Sequence, residues 1–175
     1  MSELKVQEWA GVADRSGWLP GPWDGEPDKV HWKDAATGMD CLAVRNRHRG
    51  NWCGYVAVQE SHPAFGRGYG DVDAEVHGGL TFADFCQETA GPGEGICHVP
   101  YPGDPDRVWW LGFDCAHAWD YSPSDYASSQ NEGGFWRIQS DQSYKTLGFV
   151  KAHCRKLAAQ LAKDAHLAEA YEIAP

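Results

Sequence analysis

Several familiar signatures are missing from the 175 residues. No CxxC pair occurs, which excludes the usual zinc-ribbon spacing. No GxGxxG turn or Walker-type loop is present, which removes the ordinary dinucleotide and P-loop nucleotide folds. A GxSxG elbow is also missing, so a serine hydrolase of that type is excluded. No internal repeat is evident. Nowhere does the chain approach the roughly 20 apolar residues of a membrane span. The opening Met1-Ser2-Glu3-Leu4-Lys5 lacks an apolar signal-peptide core. The expectation is a soluble cytoplasmic protein with no membrane partner and with all six cysteines reduced.

Basic charge is scarce where it would matter most. Net charge is -10, and between Glu60 and Trp136 thirteen acids face only Arg67 and Arg107. Duplex binding needs a contiguous basic face, so no extended nucleic-acid partner is expected. An acidic centre suits a divalent cation or a neutral small molecule better than a polyanion. A small phosphate stays open as a ligand if Arg67, Arg107 or the Arg45–Arg49 loop reaches the site.

Glycine (20), proline (10) and tryptophan (9) are abundant. Turns and irregular loops follow, and an all-helical bundle does not fit. A length of 175 residues makes one domain the default. Residues 1–28 form its irregular, Trp/Pro/Gly-rich opening. The Trp residues of Gly17–Gly25 read as a lid folded on the core, or as a ligand platform.

A meander follows, with strands over Lys29–Lys33, Met39–Arg45 and Asn51–Val58. Cys41 and Cys53 are symmetric about its second turn and read as cross-strand neighbours. Ala74–Phe82 looks extended but is interrupted by Gly78-Gly79, the mark of a bulge or a close backbone approach. Ile96–Val99 and Phe135–Ile138 read as short strands, Arg107–Asp114 as the central strand, and Ser122–Gly134 as a polar loop. Leu147, Val150, Cys154, Leu157, Leu161, Ala165 and Ala168 recur at steps of three and four. That stripe predicts a helix over 143–171, capped by Ser140 or Asp141. The whole reads as α+β: a mostly antiparallel sheet packed by a long C-terminal amphipathic helix.

The chemistry concentrates where the central strand ends in Asp114-Cys115-Ala116-His117-Ala118-Trp119-Asp120. If the strand continues, Cys115 and His117 share a face, as a thiolate–imidazole nucleophile requires. If the chain turns helical, Asp114, His117 and Asp120 share one instead, which suits an oriented histidine or a metal site. His117 and Asp120 are the metal candidates, and Trp110 is a candidate ligand contact. His77 is a second ligand or general base, beside Gly78 and Gly79, which allow close approach by a ligand. A zinc site from Cys86, Cys97 or His98, Cys115 and His117 has suitable ligand types but matches no ordinary finger.

The stretches Asn51–Val58, Val76-His77-Gly78-Gly79-Leu80-Thr81 and Trp109–His117 together resemble a family of small, uncharacterised proteins of bacteriophages and their hosts, over about residues 40 to 160. The resemblance transfers no catalytic roles. It implies a phage accessory protein, for which binding or destroying a nucleotide signal of host defence is one job. The reading that results is an enzyme that hydrolyses a small polar, nucleotide-like ligand at a His/Asp pocket. Its alternatives are a protein that sequesters such a ligand unchanged and a Trp-rich protein-binding factor.

Overall fold

In a computed structural model, the structure describes residues 6–87, 91, 93, 95–131, 133 and 137–172, with side chains to 168. Six antiparallel strands form one sheet: β1 (Val6–Trp9), β2 (Lys29–Lys33), β3 (Asp40–Arg45), β4 (Trp52–Val58), β5 (Phe82–Phe85) and β6 (Trp109–Asp114). Their order is β1-β2-β3-β4-β6-β5, so β6 lies between β4 and the edge strand β5. Among the described residues are two α-helices, α1 (Pro123–Gln130) and α2 (Leu147–Glu172). The protein is therefore α+β, with a long C-terminal helix packed on the sheet. No helix among the described residues is long and apolar enough to cross a membrane.

Alternation within each strand divides the core in two. On the front, Val30, Cys41, Ala43, Val56, Leu111 and Phe113 meet Val150, Cys154, Leu157, Ala158 and Leu161 of α2. The stripe read from the sequence is this buried face, and each fully buried Leu contributes about 1.5–3 kcal/mol. On the back, Leu42, Val44, Tyr55, Ala57 and Trp110 are covered by Ile96 and Val108.

Several expectations are corrected. The predicted strand over Ala74–Phe82 is displaced to Phe82–Phe85, because Gly78 and Gly79 both take positive φ (68° and 87°) and break the ladder. Ile96–Val99 is not a strand but part of the cover over the back face. Ser122–Gly134 is not all loop. Ser122 and Asp125 close a reciprocal capping box around α1, with Pro123 in its first turn. Of the predicted strand Phe135–Ile138, Phe135 and Trp136 lie outside the described residues, and Arg137 and Ile138 are not in a strand. Helix α2 starts at Leu147, four residues late, because Glu26 Oε1 takes the Leu147 N–H at 2.7 Å from a distant loop.

The cysteines depart furthest from expectation. Cys86 and Cys97 form a disulfide, which overturns the six-thiol reading and removes both from any zinc set. Cys41 and Cys53 are not cross-strand partners: Cys41 faces Val56 and Cys53 faces Val44. Three residues of offset put the two on opposite faces of the sheet.

Candidate active site at the end of β6

Strand β6 ends at Asp114, and the chain then closes a tight turn over His117–Asp120. The Asp120 N–H donates to the His117 carbonyl at 2.9 Å, while Asp120 Oδ2 accepts the His117 N–H at 3.0 Å. This reciprocal pairing folds the carboxylate back over His117. A neighbouring segment pins the turn, with the Ser143 N–H on the Trp119 carbonyl (3.1 Å) and Gln142 Nε2 on the Ala118 carbonyl (2.7 Å).

His77 arrives from the other direction, on a strap over residues 72–80 that belongs to no strand. Val72, Ala74, Val76 and Leu80 pack against the front core. The strap's backbone is tied to α2: Glu75 N–H to Gln160 Oε1 (2.8 Å), Gln160 Nε2 to the Glu75 carbonyl (3.1 Å), and His77 N–H to His153 Nδ1 (3.1 Å). A turn at His77-Gly78 then aims the imidazole at Asp120.

The result is one carboxylate between two imidazoles. His77 Nε2 lies 2.8 Å from Asp120 Oδ2, and His117 Nδ1 lies 3.2 Å from the same oxygen. One ligand atom from each of the three residues falls within 4.8 Å of the other two. Lys145 Nζ approaches Oδ1 at 3.4 Å. The Asp120 side chain is 1% exposed, those of His77 and His117 10% and 21%. Burial pushes the Asp120 carboxyl up, but hydrogen bonds from His77 and from His117 outweigh it and hold the group below the ordinary carboxylate range.

Gly78 is required here twice over. Its φ is positive, and a Cβ would fall 2.0 Å from His117 Cε1. Gly79 is also at positive φ but faces open space. The rings pack closely, with His77 edge-on to His117 at 5.1 Å and to Phe149 at 5.1 Å. Trp119 stacks on His117 with 12° between planes and is 48% exposed. Burial, followed by the charges of His77 and Lys156, pushes His153 below the ordinary imidazole value, so at neutral pH its Nδ1 keeps the lone pair that His77 N–H uses.

The remaining candidates are placed elsewhere. Asp114 points away from the histidines, accepting from Thr81 Oγ1 (2.9 Å) and the Ala116 N–H (3.0 Å). Cys115 is buried in the front core. Burial first, then the charge of Asp120, drives its thiol well above the usual range, so it is no thiolate nucleophile. Trp110 is wholly buried on the back face and presents no ligand surface at this site. Arg107 stacks on Phe85 at 4.4 Å, and the Arg67 carbonyl accepts from Trp109 Nε1. Both arginines thus sit at the start of β6, roughly 16 Å of strand from its other end. Arg45 is sealed in an ion pair with Glu26 (2.6 Å), and Arg49 pairs with Asp125 (2.9 Å). Neither the arginines nor the 45–49 loop makes a phosphate clamp here. A cavity of about 300 Å³ lies at the far end of the sheet, among Thr37, Met39, Val58, His62 and Ala165, and holds none of these residues.

Sequence reasoning missed His153, Lys145 and Gln160. His153 and Gln160 stand seven apart on α2, beside the apolar stripe, and that spacing was the available signal. No family model, no curated protein and no solved structure matches this chain.

Proposed function

We propose that this protein is a hydrolase that uses a divalent metal ion, held by His77, His117 and Asp120, to act on a small polar, nucleotide-like substrate. The observation that carries the reading is the convergence of two imidazole nitrogens and one carboxylate oxygen within 4.8 Å. Two histidines and a carboxylate are a donor set of catalytic zinc sites and of non-haem iron sites, both of which keep open positions for water or substrate. The set fits in charge as well, since Asp120 stays ionised at neutral pH. When bound, such an ion lowers the pKa of a coordinated water and polarises an oxygen of the substrate. Its positive charge also offsets the acidic surroundings that otherwise disfavour a phosphate-bearing ligand.

The protein's own groups have distinct parts in this reading. Asp120 orients both imidazoles by accepting from the nitrogens that face it, and those nitrogens would give up their protons on holding the ion, with each ring's remaining proton on its outer nitrogen. Lys145 steadies the second carboxylate oxygen. Trp119 offers a half-exposed indole at the rim, on which a planar base can stack. The phage setting implied by the sequence resemblance gives such an enzyme a use, the destruction of a host nucleotide signal.

The same Trp119 exposure supports the alternative of a protein that holds its ligand without altering it. The protein-binding reading is less well supported, because Trp23, Trp52 and Trp110 are fully buried and Trp119 is the only described Trp that is exposed.

Metal analysis of protein purified with and without added zinc, manganese or iron tests the first step. A stoichiometric ion, lost in His117→Ala, is expected. Incubation with a panel of nucleotides and cyclic dinucleotides, read by mass spectrometry, tests the second. An altered ligand supports hydrolysis, and a retained intact ligand supports sequestration. Wild-type protein that binds none of these metals overturns the metal-assisted reading.

A further inference from the structure

We infer that Gln160 and His153 of α2 are positioning residues that set where His77 stands, so that the C-terminal helix aligns the site without touching the reacting centre. The inference rests on the reading of His77 as a functional group of the site.

The strap that carries His77 packs Val72, Ala74, Val76 and Leu80 on the front core but pairs with no strand, so side chains fix its backbone along α2. Its positive-φ glycines end any ladder, and the peptide groups at Glu75 and His77 are met by side chains of α2. Gln160 supplies a donor and an acceptor to the two backbone groups of Glu75, as a neighbouring strand would. Gln160 Nε2 also donates to the Lys156 carbonyl at 3.0 Å, which fixes the amide on the helix. His153 takes the His77 N–H itself. Two side chains two helical turns apart, on the order of 10 Å along the axis, therefore clasp the strap on both sides of Val76.

The side chains suit that task in particular. Among common residues of this length only glutamine offers both an N–H and a C=O. Glutamate loses the donor and lysine the acceptor. His153 offers Nδ1 as the acceptor at 3.1 Å. Phe149 and Phe113 pack against the His153 ring at 4.5 and 5.8 Å and fix its plane. The Lys156–Glu75 ion pair runs beside the clasp at 3.0 Å, but both groups are exposed, so it is a natural control.

Cobalt titration followed by visible absorption, combined with hydrogen exchange of the metal-free protein, tests the assignment. Wild type and Lys156→Ala should bind Co²⁺ alike. Gln160→Ala and His153→Leu should bind about 10- to 100-fold more weakly, the usual loss when an outer partner of a ligand is removed. Gln160→Glu, which keeps the acceptor for Glu75 N–H, should fall between. His153→Asn, which places an amide oxygen near the former Nδ1, should recover most of the loss, a rescue that a bulk-packing role would not show. Equal Co²⁺ affinity and equal spectra in wild type, Gln160→Ala and His153→Leu overturn the proposal. If wild type takes up no Co²⁺, the metal reading fails by itself. The positioning role is then decided without metal, by the His77 amide and ring N–H protons. These should exchange at least tenfold faster in Gln160→Ala than in Lys156→Ala, and equal rates would refute it.

Discussion

Two histidine–aspartate pairs sit on opposite sides of one sheet, and only one resembles a working site. His31 and Asp40 lie on the back, with His31 Nε2 2.8 Å from Asp40 Oδ1. His31 is fully buried, its Nδ1 is taken by Gln7, Tyr101 stacks on its face, and Lys33 occupies the second oxygen of Asp40. Every nitrogen and oxygen there is committed to a protein partner. At the front, His77 bonds through Nε2 and His117 through Nδ1, and neither ring's other nitrogen takes a hydrogen bond among the described residues. A pair closed on all sides can only hold the fold, whereas one with spare nitrogens can exchange a proton for a cation. The chemical types are the same, so the difference lies in saturation and exposure.

The largest expected effect breaks this comparison directly. His31→Ala should destabilise by about 3 kcal/mol, because it strands a buried carboxylate partner and opens a cavity. For a chain this long that is a melting drop of roughly 6 to 12 °C. His117→Ala should change the melting temperature little yet abolish metal uptake. Similar melting losses in the two variants would erase the distinction between a structural pair and a site.

Reduction of the Cys86–Cys97 disulfide comes next. Releasing an 11-residue loop costs about 2–3 kcal/mol. The cover that carries Cys97, His98 and Tyr101 over His31 should loosen, seen as faster amide exchange there, with the front pair unmoved. Thiol counting in denaturant without reductant should find four, Cys41, Cys53, Cys115 and Cys154. A count of six in protein kept from reductant contradicts the bond.

Gly78→Ala and Gly79→Ala form a smaller and more selective pair. Each should cost about 1 kcal/mol for the left-handed backbone. Gly78→Ala should cost about 1 kcal/mol more by overpacking the His117 ring, and should impair metal binding. Equal metal affinities in the two would show that the ring contact is immaterial.

The smallest effect is a pH dependence shared by both sides. His98 on the back is pushed low chiefly by burial, and His153 on the front likewise. Below the unfolded imidazole value near 6.5 the unfolded chain binds protons that the folded chain resists. Stability should therefore fall as pH drops from about 7 to 5, measured as a declining melting temperature. His153→Asn should remove its share and leave the His98 share. A melting temperature that rises on acidification over that range would reverse the sign.

Much of the scaffold was legible because it depends on periodicity. The α2 stripe buries one face of a helix, and the near-continuous apolar runs of β3 and β4, bounded by polar turns, fill both faces of the sheet. The location of β5 was not legible, because whether a Gly-Gly pair bulges a strand or ends it depends on φ values that composition does not encode. Helix α1 was hidden because Asp125, rather than the more usual Glu, closes its capping box. The disulfide was invisible in the spacing, since pairing depends on how the chain covers the back face. At the site, His77, His117 and Asp120 stood out as ionisable residues at breaks in apolar runs, and the fold brings those three together. His153 and Gln160 did not stand out, because what they bind is the backbone of a segment 76 to 85 residues away.

The strand order β1-β2-β3-β4-β6-β5 also imposes a schedule on the nascent chain. Strands β1 to β4 pair with their sequence neighbours and can close as local hairpins while synthesis continues. Strand β5 emerges next and has no partner, since it bonds only to β6 and must wait for about two dozen further residues. Asp120 follows β6, and α2 comes last of all, carrying the clasp for His77. The candidate site is thus the final part of the molecule to assemble. A ribosome-stalled chain ending near residue 140 would hold both histidines and the aspartate yet lack the helix that aligns them.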